Sequence, residues 1–189
     1  MAENQVNMLY DFVKDRIGNN LLDHQVDRDS VDIFTIKRDC LLGLLKNLRD
    51  EGKTEFKHLS WLTAIDYPDS TIRFIVVYEL RNLQDFTRIR LKVPVSEKDP
   101  WVPTVVGIYP TADWHEREMM ELFGIEVRGH PDPRKLLLPD WVNEYPLRKE
   151  FPSGGEELWE FHKKVITMFN NKSEYQGDLT DPWLERFNT

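Results

Sequence analysis

The densest chemistry in the chain lies in residues 114–152, WHEREMMELFGIEVRGHPDPRKLLLPDWVNEYPLRKEFP. It opens on His115-Glu116-Arg117-Glu118, with Glu121 close behind. By spacing, Glu116 with Glu121, or Glu118 with His115, would serve as an acid/base couple, but no nucleophile or oxyanion device accompanies them. A zinc site fails on spacing: H-E-x-x-H needs a second histidine four residues after the first, and position 119 is Met. The plain reading is a solvated ion-pair face, since Arg117 and Glu121 fall together at i,i+4 on a helix. Clustered Arg and Glu beside Trp114 and an apolar stripe better suit charges buried against a partner subunit. Further on, Arg128, His130, Arg134, Lys135, Arg148 and Lys149 form a basic stretch in an acidic protein. No glycine-rich loop is present to cradle a phosphate, so docking on a carboxylate-lined partner stands beside a solvated loop as its explanation.

These residues need a scaffold, and hydropathy periodicity supplies one. Val6, Leu9, Tyr10, Val13 and Ile17 predict a first amphipathic helix ending near Gly18; Cys40, Leu41, Leu44, Leu45 and Leu48 predict a second. Short strands are expected at 24–26 and 31–36, a β-rich stretch at 56–67, and the strongest, centrally placed strand at 71–81. Residues 86–95 alternate cleanly, as a strand with one wet face does. A loop with three prolines follows, and residues 112–123 form a short helix. Asp113 is placed as its cap, Glu116 as its capping-box partner and Gly124 as its stop. Beyond Gly124, Pro131, Pro133, Pro139, Pro146 and Pro152 forbid long helices until a last amphipathic helix at 156–172. The expectation is an α+β domain over 1–125, a mixed sheet with helices packed on it, and an extended C-terminal arm over 126–189. An irregular arm rich in apolar residues suits burial on a partner.

Composition narrows the function. A formal net charge of −8 over 189 residues argues against nucleic acid as the main partner. The single cysteine, Cys40, allows no internal disulfide and no iron–sulfur cluster. The five histidines, His24, His58, His115, His130 and His162, are too scattered for a structural zinc site. No apolar run approaches the ~18–20 residues that span a bilayer. The N-terminus lacks a basic segment followed by an apolar core, so no signal peptide is expected and any membrane association comes through partners.

The blocks Glu116-Arg117-Glu118, Leu122-Phe123-Gly124-Ile125, Gly129-His130-Pro131-Asp132, Arg134 and Pro146-Leu147-Arg148-Lys149-Glu150-Phe151-Pro152 occur in one order. With Asp66-Tyr67, FIVVYEL and PWVPTV upstream, they resemble the thirty-kilodalton subunit family of NADH-quinone oxidoreductase, respiratory complex I. Glu121 and Glu150 stand where Asp is usual. LLLPDWVNEYPLRKEF lacks the Gly-His before Pro-Leu-Arg of many members and resembles the versions in membrane-bound hydrogenases and sulfur-reducing complexes.

The resemblance implies a non-catalytic structural subunit of the peripheral arm, held at the cytoplasmic side of the membrane through its partners. It implies no cofactor in this chain; iron–sulfur clusters, with quinone or nickel–iron chemistry, belong to the partner subunits. The partners implied are the large hydrogenase-like subunit and the small iron–sulfur subunit, with the membrane arm contacted indirectly. Carried over residue by residue, the interface is Glu116, Arg117, Glu118, Phe123, Gly124, His130, Asp132, Arg134, Arg148 and Lys149. The alternatives are the equivalent subunit of a nickel–iron hydrogenase or sulfur-reducing complex, an assembly factor for the large subunit, and a free-standing acid/base enzyme.

Overall fold

The computed structural model describes residues 2–51, 55–139 and 142–152, together with positions 163, 166 and 167; in the first helix, side chains are described from residue 8 onward. Two compact units divide the chain, Met1–Phe151 and Pro152–Thr189. Residues 126–151, read from the sequence as the start of the arm, are counted with the sheet in the first unit. Of the helix expected at 156–172 only Lys163, Ile166 and Thr167 are described, and they are helical; the rest lies outside the described residues.

The first unit is α+β, as expected. Helix α1 (Ala2–Ile17) leads into a hairpin, β1 (Leu21–Val26) and β2 (Asp32–Ile36), then α2 (Leu41–Asp50) and a meander of β3 (His58–Asp66), β4 (Phe74–Arg81) and β5 (Arg88–Val95). The sheet order is β1-β2-β5-β4-β3, antiparallel except where β5 lies parallel to β2. β4 is thus interior, as its near-continuous apolar run suggests: both its edges are paired and one face is fully buried. β5 alternates strictly between buried and half-exposed residues. One core gathers Leu9, Val13 and Ile17 of α1, Leu41, Leu44, Leu45 and Leu48 of α2, and the inward residues of every strand but β1. β1 starts three residues earlier than its sequence suggests, since Leu21 pairs with Ile36 and Asp23 with Thr35 despite a bulge.

The proline-containing loop after β5 is more ordered than expected. Trp101–Pro103 (β6) pairs in parallel with Glu126–Arg128 (β7), and between them runs α3 (Ala112–Phe123). Helix α3 has its expected bounds but not its expected cap. The preceding residue is Thr111, in helical conformation, and no side chain caps the helix. The first free N–H groups go to the preceding turn instead: Ala112 donates to Tyr109 and Asp113 to Pro110. Asp113 therefore sits inside the first turn, and Glu116 is released from any capping box.

Candidate functional site

Helix α3 is the hub around which the signature residues assemble. Glu116 points into the core and is fully buried. Its Oε1 accepts from the Val105 N–H at 2.6 Å and its Oε2 from the Thr104 hydroxyl at 2.6 Å. His130 approaches from the turn after β7, with Nε2 at 3.7 Å from Glu116 Oε2 and 3.2 Å from the Asp113 carbonyl. Its Nδ1 accepts the Asp132 N–H at 3.0 Å, which assigns the neutral-ring proton to Nε2, the donor toward Asp113. Burial pushes the Glu116 carboxyl up, against the opposing pull of Thr104, Val105 and His130. The hydroxyl of Tyr78, fully buried on β4, is pushed up by burial and by the Glu116 carboxylate.

One turn along, Glu121 binds the next loop. Its carboxylate accepts the N–H groups of Leu136 at 2.9 Å and Leu137 at 2.9 Å, and that of Leu138. Three successive amides wrapped on one carboxylate form a backbone anion nest filled from within the chain. On the flank, Arg117 donates to the carbonyls of Arg134 at 2.8 Å and Lys135 at 3.0 Å, and lies 3.9 Å from Asp132. Arg134 forks onto Asp132 with two 2.7 Å bonds; this pairing, opposed by slight desolvation, holds the Asp132 carboxyl down to about 2. A cleft of about 300 Å³ opens between α3 and residues 133–135 and 142–145. Its polar walls are engaged, Arg117 and Glu121 as above and Lys135 Nζ on the carbonyls of Pro139 and Val142.

The helix ends on Gly124, left-handed at φ 70°, where a Cβ would lie 2.5 Å from Tyr145 and 2.6 Å from Arg148. Both conformation and space therefore demand glycine. The exposed carbonyls of the last turn are met from the returning chain: Leu147 N–H donates to Leu122 at 3.0 Å and Arg148 Nε to Phe123 at 2.7 Å. The Arg148 guanidinium also stacks 4.2 Å over Tyr145 and 5.3 Å from Phe74.

A second clasp follows at the turn end of the β3–β4 hairpin. Arg73, nearly buried, forks onto buried Asp66 at 2.8 and 3.1 Å and also binds Glu97 at 2.5 Å and Glu150. Asp66 further accepts the Lys149 N–H at 2.8 Å. Burial pushes the Asp66 carboxyl up, but the bonds from Arg73 and Lys149 outweigh it and hold it below the ordinary range.

Of the ten sequence-predicted interface residues, Glu116, Phe123 and His130 are buried within the chain, while Arg117, Gly124, Asp132 and Arg148 are half-buried in the contacts above. Glu118, Arg134 and Lys149 are exposed, beside Trp114 and Leu137. The acid/base pairings are not assembled: Glu116 and Glu121 serve different loops, Glu118 has no partner among the described residues, and His115 Nδ1 bonds the Thr111 carbonyl at 3.0 Å. Sequence reasoning missed Arg73 and Glu97 altogether. The only hint lay in the conjunction of Asp66-Tyr67 with the distant PLRKEFP block, whose Glu150 and Lys149 close on the same pair.

Glu116 carries a pH signature. A carboxyl raised on folding favours the fold only while protonated, so its contribution is complete below its ordinary value of 4.5 and is lost as pH rises through the folded value. We expect the stability difference between wild type and Glu116→Gln to shift against wild type over that window. Urea melts from pH 4 to 8 check it; parallel curves for the two proteins would refute the assignment.

This arrangement defines a class: a mixed-sheet α+β scaffold whose sequence signature is an internal clasp between one helix and two returning loops. The profile of the family "Respiratory-chain NADH dehydrogenase, 30 Kd subunit" matches residues 34–157, and the chain belongs to that family. It is 40% identical over 150 residues to the C subunit of NADH-quinone oxidoreductase from Dinoroseobacter shibae, covering 77% of this chain and 69% of that one. It is 39% identical over 158 residues to the same subunit of the Citrifermentans bemidjiense enzyme, covering 83% and 94%. Among solved structures, the trypsin-resistant fragment of Nqo5 superposes with a TM-score of 0.57 at 28% identity, over 66% of this chain and 98% of that one. A chain of the membrane-bound sulfane sulfur reductase, an archaeal respiratory membrane complex, has the same fold, with a TM-score of 0.63 at 21% identity over 93% and 97%. No helix among the described residues is long and apolar enough to cross a membrane.

Proposed function

We propose that this chain is a non-catalytic structural subunit in the peripheral arm of a complex I-like membrane oxidoreductase. It docks on the large, hydrogenase-like subunit beside the small iron–sulfur subunit, at the cytoplasmic side. The observation that carries the reading is the clasp itself. The family signature is spent on holding α3, the 130–138 turn and the 145–150 segment in one fixed relation. A rim of exposed side chains (Trp114, Glu118, Arg134, Leu137 and Lys149) then stands on a rigid base. The buried signature residues act on the interface through what they position, and the exposed ones by direct contact. Rigidity of this kind lowers the entropy cost of docking. In this role the chain transfers no electron; it keeps the quinone or nickel–iron site of the large subunit aligned with the neighbouring cluster, and ion pumping belongs to the membrane arm.

A second reading, the equivalent subunit of a hydrogenase or sulfur-reducing complex, is favoured by the LLLPD stretch that lacks Gly-His before Pro-Leu-Arg. Mild-detergent capture of the chain from its native membranes, with mass spectrometry and metal content, tests both. Stoichiometric recovery with iron–sulfur and membrane subunits is expected; stoichiometric nickel would move the assignment to the hydrogenase branch. Recovery of the chain alone would overturn the docking role. Binding to the large subunit only before assembly would make it an assembly factor.

A further inference from the structure

The β4–β5 hairpin carries two features that its own fold leaves unused. On the solvent face of the sheet the register runs Val77↔Lys92, Glu79↔Arg90, Arg81↔Arg88. Arg81 and Arg88 therefore stand directly opposite each other, an arrangement that destabilises a sheet unless something neutralises it. Glu79 offsets it only in part: it is shared between Arg90 at 2.8 Å and Arg88 at 4.0 Å. Arg81 Nε is buried and has no acceptor among the described residues. In a chain of net charge −8, this end of the face is cationic.

Immediately beyond, the hairpin tip holds two large apolar side chains in solvent, Leu83 at 58% and Phe86 at 69% exposure. Phe86 is left-handed, φ 60°, a conformation costly for a bulky residue. The tip is nonetheless braced. Asn82 N–H donates to Thr87 at 3.0 Å, Gln84 N–H to Asn82 Oδ1 at 2.8 Å, Thr87 N–H to Asp85 Oδ1 at 2.9 Å, and Gln84 Nε2 to Glu55 at 2.6 Å. The ring of Phe86 is thus presented on a preorganised turn, with the facing guanidinium groups of Arg81 and Arg88 at its base.

We propose that the 81–88 hairpin is a docking prong for a second protein. Leu83 and Phe86 enter an apolar pocket of that partner, and an Asp or Glu carboxylate on the pocket rim seats against the facing guanidinium groups of Arg81 and Arg88. Charge complementarity selects this occupant. One carboxylate neutralises the opposed pair, whereas a polyanion would meet the acidic remainder of the chain. The proposal rests on the subunit reading above but names a surface apart from the α3 clasp.

The test places a photo-crosslinking phenylalanine at position 86 of the full chain in its native complex, with position 126 on β7 as control. Crosslinks from 86 to one partner peptide containing Asp or Glu among apolar residues are expected. Arg81→Glu should lower recovery in the complex at least tenfold while leaving the melting temperature of the isolated chain unchanged or raised, and Arg at the crosslinked acidic position should restore recovery. An intact complex in which position 86 captures only lipid or nothing, or in which Arg81→Glu assembles at wild-type yield, overturns the prong and leaves the subunit reading standing. A wild-type chain that recovers no partner overturns both.

Discussion

Arg73→Ala is expected to lower the stability of the first unit by about 3–5 kcal/mol, the cost of leaving one member of a buried ion pair alone. For a unit of this size that is a fall of roughly 10 °C in melting temperature. The guanidinium is the only cation on the Asp66 side chain among the described residues, and that side chain is 1% exposed. Removing it strands a buried carboxylate and releases Glu97 and Glu150 from the same corner. Arg73→Lys keeps the charge without the fork and should fall between the two. A double change, Arg73→Met with Asp66→Leu, should recover most of the loss, because it removes the stranded charge rather than exposing it. The effect has a pH direction. Asp66 is held below its ordinary 3.8 on folding, so its stabilisation is present above that value and lost as pH falls through the folded one. The variant's acid limb should therefore be flatter than that of wild type. A variant melting within a degree or two of wild type would show that the clasp is dispensable.

Glu121→Ala is expected to release the 136–138 turn without unfolding the sheet. Three backbone donors lose a charged acceptor, which costs about 2–3 kcal/mol where water makes up part of the loss. Hydrogen exchange reads this as roughly hundredfold faster exchange at Leu136, Leu137 and Leu138 against unchanged exchange in β4. Glu121→Gln should lose more than half as much, because its amide nitrogen cannot accept from a facing N–H. Uniform acceleration across β4 and the turn would instead place Glu121 in the global core.

What was readable in advance follows the range of each interaction. The three helices, the interior position of β4 and the wet face of β5 were legible, because periodicity reports burial residue by residue. The end of α3 at Gly124 was legible because a left-handed stop is a property of one residue. The capping box was a misreading for the same reason: Asp113 and Glu116 have the right spacing, but spacing carries no information about the carbonyls of Tyr109 and Pro110 that already serve the first turn. The three-residue strands β6 and β7 escaped notice because neither has a pattern of its own and each exists only through the other.

The sequence by itself determined the α+β class, the amphipathic faces, the exclusion of an internal disulfide by a lone cysteine, and the family, whose blocks of fixed order survive any uncertainty about contacts. Only the tertiary structure decided what those blocks do. It turned Glu116 and Glu121 from an acid/base pair into two separate loop anchors, directed Arg117 and Arg148 onto carbonyls of their own chain, and joined Arg73 to a glutamate 77 residues away. Charged side chains carry no period that records their partners. Their destination is set where chain segments distant in sequence converge and water is expelled, and that convergence is a property of the packed whole.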